Sequence, residues 1–159
     1  MEPFPLHPKT ASSPAENEHG TDSGTAALAE LHTRLVDTIS GFDKVVEKAE
    51  PGFRTIAEDF RTMHQRHSRA IGEMLARDGH DPSRDGSVFG AMNRGLVEMR
   101  SWFDTIDVNI MDALVQGEKH VLEGYEQAIV ATKDAEQRNS LEAMRDTQLA
   151  MMDRHCTPS

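Results

Sequence analysis

The chain has 159 residues, with 17 Lys plus Arg against 27 Asp plus Glu and a formal charge of -10. That is enough sequence for one domain with a real core, and it offers no basic face for nucleic acid or anionic lipid. Its single cysteine, Cys156, excludes an internal disulfide and points to a reducing compartment, the cytoplasm.

Residues 1–23 carry Pro3, Pro5, Pro8 and Pro14 among Ser, Thr, Glu, Asn and Gly. Such a composition cannot repay the entropy of ordering, which predicts a disordered tail ahead of a bundle domain over 24–156. The opening Met1-Glu-Pro-Phe-Pro-Leu-His-Pro has neither the basic nor the apolar region of a secretory signal. No later stretch approaches the roughly 20 apolar residues of a membrane helix. The expectation is a protein neither exported nor membrane-spanning.

Leu28, Leu31, Leu35, Ile39, Phe42 and Val46 step by three or four residues and predict a helix over 25–49. Glu50-Pro51-Gly52 interrupts it, and Pro51 suits the first turn of a second helix, over 51–77. The stripe of that helix is Phe53, Ile56, Phe60, Met63, Ala70, Ile71 and Met74, and Asp78-Gly79-His80-Asp81-Pro82 ends it.

Ser87 then caps a short predicted crossover helix over 87–103, with Phe89, Met92, Leu96, Met99 and Phe103 on one face. A long helix over 108–132 carries Met111, Leu114, Val115, Val121, Leu122, Tyr125 and Ile129. The last, over 135–155, carries Leu141, Met144, Leu149, Met151 and Met152. Four matched amphipathic helices and one long connection predict an all-α fold, a ferritin-like antiparallel four-helix bundle with a short crossover helix.

Polar residues at core positions carry the functional information. His67 lies seven residues after Phe60 and seven before Met74; Glu118 is midway between Met111 and Tyr125; Gln148 and His155 continue the register of Leu141. A carboxylate buried without a partner costs several kcal/mol, so Glu118, if buried, must be protonated, paired or metal-bound. His67 is the expected partner. His64, one turn earlier, makes a His-x-x-His pair able to reach one ion. The blander alternatives are a hydrogen-bonded polar layer or one lining a watery groove.

The predicted helices contain no Glu-x-x-His, the spacing that di-iron bundles use. The residues three before His64, His67, His120 and His155 are Arg61, His64, Gly117 and Met152. Ferroxidase chemistry is therefore not expected. Gly117 and Gly124, with Ala113 and Ala128, form a strip of small residues that predicts close approach of a helix from the same chain or a second subunit. The nine methionines read as deformable core more readily than as a soft-metal site.

Several short stretches together resemble a bacterial family, domain-of-unknown-function family 2383, over about Leu31 to Ala131. They are Ser40-Gly41-Phe42, Ala49-Glu50-Pro51-Gly52-Phe53-Arg54, Met63-His64-Gln65-Arg66-His67, Asp85-Gly86-Ser87-Val88-Phe89-Gly90, Gly117-Glu118 and Tyr125-Glu126-Gln127-Ala128. Ser40 and Asn93 depart from the family pattern. The resemblance implies a ferritin-like bundle, bacterial origin and a cytoplasmic location, and it brings no activity or catalytic residues.

The expected function is a non-catalytic interaction or accessory protein that self-associates as a homo-oligomer, without nucleic acid, membrane or cofactor. The alternative is a bundle that binds a divalent metal through Glu118 with His67 and His64. An enzyme with an organic ligand would need a cavity next to Glu118 and Tyr125.

Overall fold

Apolar residues at helical spacing produce four packed helices in the computed structural model, which describes residues 22–81 and 110–157. They are α1 (Ser23–Lys48), α2 (Pro51–Arg77), α3 (Ile110–Ala131) and α4 (Ala135–Cys156). The helix expected over 87–103, and residues 1–21 of the expected tail, lie outside the described residues. No described helix is long and apolar enough to cross a membrane.

The punctuation follows backbone chemistry. Pro51 stands at the start of α2, where no amide donor is lost. Gly79 closes α2 with φ 76°, and the His80 amide donates back to the Leu75 carbonyl at 2.9 Å, a left-handed cap that a side chain at Gly79 would strain. Asp134 caps α4 by accepting from the Gln137 amide at 2.8 Å. Basic residues end three helices, Lys48 in α1, Arg77 in α2 and Arg154 in α4, where they face the negative end of the helix dipole.

Helix directions follow from the contacts. Gly24 lies against Ala131 and Thr132, and Gly124 against Leu31 and Arg34, so α1 and α3 are antiparallel. His64 meets Glu118 and His67 meets Tyr125, so α2 and α3 run the same way. The resulting order of up, down, down, up is consistent with a ferritin-like bundle.

Two apolar clusters fill the interior. One gathers Leu28, Leu31, Leu35, Ile71, Leu75, Val121, Ala128 and Leu141 with their neighbours. The other joins Phe42, Ala57, Phe60, Met63 and Leu114, with Met151 and Met152 against it. On α2, α3 and α4 alike, the residues between the clusters are polar: His64, His67 and Ser68, then Glu118, then Gln148, all buried. Each fully buried Leu, Ile or Phe contributes about 1.5–3 kcal/mol, so the apolar ends hold the fold and the middle layer must at least be paired.

Two expectations need correction. Leu149, read as part of the α4 stripe, is 45% exposed, because the buried face follows Leu141 and Gln148 and Leu149 is rotated about 100° from the latter. Gly117 relieves no crowding, since a Cβ there would meet nothing within 4 Å. Gly124 does, for its Cβ would stand 3.1 Å from both Leu31 Cδ1 and Arg34 Cδ. Gly117→Ala is therefore expected to stabilise by about 0.5–1 kcal/mol, the helix-propensity gain alone. Gly124→Ala should not gain, and urea unfolding of the two variants measures the contrast.

Arg34 marks how close α1 comes to α3. Its Nη1 donates to the His120 backbone carbonyl at 2.9 Å, and its Nη2 reaches Gln127 Oε1 at 3.4 Å. The missing Cβ of Gly124 leaves room for the Arg34 stem on the way.

Candidate functional site

The polar layer is built from three helices. Glu118 of α3 is 1% exposed, and both carboxylate oxygens are engaged. His64 Nε2 of α2 lies 2.9 Å from Oε1. Gln148 Nε2 of α4 donates to Oε2 at 2.6 Å and to the backbone carbonyl of Glu118 at 3.0 Å. One carboxylate thus clasps α2 to α4 through α3. Gln148 can only donate through that nitrogen, which fixes Oε2 as an acceptor.

The His64 ring is fully buried and stacks on Phe42 and Phe60, with centroids 5.8 and 6.5 Å away. The aromatic faces hold the imidazole plane so that Nε2 points at Glu118. On the other side of the clasp the match is incomplete. His64 Nδ1 and Gln148 Oε1 are buried with no hydrogen-bond partner. Such orphaned atoms lower the net worth of a buried polar cluster.

A second pair lies beside the clasp. The Tyr125 hydroxyl of α3 is 2.8 Å from His67 Nδ1, and the two rings meet edge to face with centroids 6.0 Å apart. Burial, and then the nearby His64, push the His67 imidazole down to about 4. It is therefore neutral around pH 7. Burial and then Glu118 push the Tyr125 phenol above its ordinary range, so it stays protonated and able to donate.

The expected pairing of Glu118 with His67 is thus corrected: Glu118 meets His64, and His67 meets Tyr125. The reason is the lean of helical side chains toward the N-terminus of their helix. Tyr125 reaches back along α3 and occupies the level of His67, while His64 is left opposite Glu118. Gln148 is in the layer as its register indicated. His155, half-buried near the end of α4, lies 3.3 Å from Asp59 Oδ2 and against the Phe60 ring, away from the clasp.

Sequence reasoning placed Tyr125 on an apolar stripe and beside a possible ligand cavity, and missed it as the hydrogen-bond partner of His67. The available signal was its hydroxyl, since a buried tyrosine needs a hydrogen-bond partner. Among the described residues, no group of three or more His, Cys, Asp or Glu side chains stands where it could hold a metal ion. The one pair in the chain with Glu-x-x-His spacing, Glu16 and His19, lies outside the described residues.

Space near the layer opens between α2 and α4. A cavity of about 300 Å³ is lined by Asp59, Thr62, Met63, Arg66 and His67 of α2 and by Thr147 and Met151 of α4. Glu118 and Tyr125 are not among its walls, so it does not match the pocket expected beside them.

No curated protein and no solved structure matches the chain. The family described as Domain of unknown function (DUF2383) matches residues 24–131. That span takes in α1, α2 and α3 with His64, His67, Glu118 and Tyr125, and stops short of Gln148. On that match the chain belongs to the DUF2383 family.

Proposed function

We propose that the chain is a non-catalytic accessory bundle of ferritin-like type, in which the His64, Glu118 and Gln148 layer holds helices in register and does no chemistry on a substrate. The supporting observation is that Glu118 is 1% exposed with both carboxylate oxygens taken by side chains of the same chain. A general acid or base must come within hydrogen-bond reach of the group it serves, and this carboxylate has no free oxygen to offer.

The reading extends to self-association in the cytoplasm, with the acidic surface keeping the assembly soluble. Its seat is not the strip at Gly124 and Ala128, because α1 occupies that strip within the chain. Sedimentation over a concentration series is expected to show mass rising above the 17.7 kDa monomer. A strict monomer at the highest concentration would remove this part of the proposal.

The alternative, a divalent metal on Glu118, His64 and His67, requires opening the 2.9 Å His64 contact and turning His67 away from Tyr125. Elemental analysis of purified protein and its Glu118→Gln variant separates the readings. Stoichiometric metal in the first and none in the second would favour the alternative.

A further inference from the structure

Met63 and His67 stand one turn apart on α2, and Thr147 and Met151 stand one turn apart on the facing α4. All four line the same cavity. Residues four apart share a helix face, so two thioether side chains and one imidazole line the same cavity from its two walls. Met63 and Met151 belong to or pack against the Phe42 and Phe60 cluster, and they also border about 300 Å³ of space open to solvent.

The ring of His67 is set for the task. Its Nδ1 is held by the Tyr125 hydroxyl at 2.8 Å, which leaves Nε2 as the nitrogen available to the cavity. A histidine ligand is commonly oriented through its other ring nitrogen in this way. The surroundings also discriminate among ions. Asp59 is the one carboxylate among the lining residues, and it lies 3.3 Å from His155 Nε2. Hard divalent ions favour several oxygen ligands, whereas thioether and imidazole donors suit a soft ion.

We propose that the cavity between α2 and α4 is a binding site for a soft monovalent metal ion, copper(I), with Met63 Sδ, Met151 Sδ and His67 Nε2 as ligands. Binding leaves the proton count unchanged. The single imidazole proton passes from Nε2 to Nδ1, and the hydrogen bond to Tyr125 reverses so that the phenol oxygen accepts. No electron is transferred. The site shares no residue with the His64, Glu118 and Gln148 clasp and goes beyond the accessory reading, which stands or falls separately.

The test is anaerobic titration of the full chain with copper(I) held by a coloured chelator. Wild type is expected to withdraw one ion per chain, and X-ray absorption of the loaded protein to show sulfur and nitrogen neighbours. Met63→Leu with Met151→Leu, which keeps core volume, should weaken binding by about 10-fold or more with helix content unchanged by circular dichroism. His67→Gln should also weaken it. Cys156→Ser and Met144→Leu should bind as wild type does. The proposal is overturned if wild type withdraws no copper, if the double methionine variant binds equally well, or if Cys156→Ser abolishes binding.

Discussion

Glu118→Leu is expected to lower stability by about 1–3 kcal/mol for each buried polar group it leaves without a hydrogen-bond partner, and two such groups face the carboxylate. For a chain of this size that corresponds to a fall in melting temperature of roughly 10 °C. The loss arises because His64 Nε2 and the Gln148 amide, both fully buried, lose their hydrogen-bond partner and cannot find water. Replacing all three members together, as His64→Leu with Glu118→Leu and Gln148→Leu, should recover most of the loss. The layer's own orphaned polar atoms then leave the core at once, including His64 Nδ1 and Gln148 Oε1, which are unpartnered already. Thermal unfolding of the single and triple variants checks both statements. A triple variant far less stable than Glu118→Leu would mean that the layer contributes more than pairing.

The second large effect is a loss of stability in acid that traces to His67. Its imidazole titrates near 6.5 when unfolded and is held down to about 4 in the fold, by burial first and by His64 second. Between those values the unfolded chain binds more protons than the folded one, so stability falls as pH falls. The contribution is complete above about pH 6.5 and is lost progressively toward pH 4. One group can supply at most about 1.4 kcal/mol per pH unit, and less where the ring opens on the solvated cavity.

His32 is shifted the same way by burial, so it adds to the slope and does not mask it. The other groups facing His67 are Tyr125, which does not titrate in this range, and Arg66 and Asp59 on the cavity wall. His67→Gln keeps a hydrogen-bonding side chain without a titrating ring. It should flatten the dependence of melting temperature on pH between about 4 and 6.5. Identical slopes in the two proteins would contradict the assignment.

The sequence was most legible where one residue type decides the outcome. Pro51 and Gly79 mark the ends of helices because backbone chemistry leaves few alternatives. His67, Glu118 and Gln148 were visible because they break apolar stripes at whole-turn spacing, and all three are buried; His155, read the same way, is only half-buried. Their pairing was not legible. Choosing between His64 and His67 as the partner of Glu118 requires the axial register of α2 against α3 to within one turn, about 5.4 Å. That register is set by packing across the bundle and leaves no local signal.

Three further features were hidden for reasons of their own. Leu149 was placed inside because α4 fully buries only Leu141 and Gln148, so its sequence defines its rotation weakly. The cavity between α2 and α4 was invisible because its walls mix Met63, Met151 and His67 with Asp59, Thr62, Arg66 and Thr147. Taken alone, the latter four read as an ordinary solvated face. Gly117 and Gly124 looked equivalent by spacing, yet a Cβ would crowd α1 only at Gly124.

The central claim, that Glu118 and His64 form a structural clasp, is tested most directly by a double-mutant cycle. Urea unfolding would be measured for wild type, His64→Leu, Glu118→Leu and the double variant. The clasp predicts a coupling free energy of about 1–3 kcal/mol, with the double variant more stable than the sum of the single losses implies. Additivity within about 0.3–0.5 kcal/mol would show that the two side chains act independently, and would contradict the account.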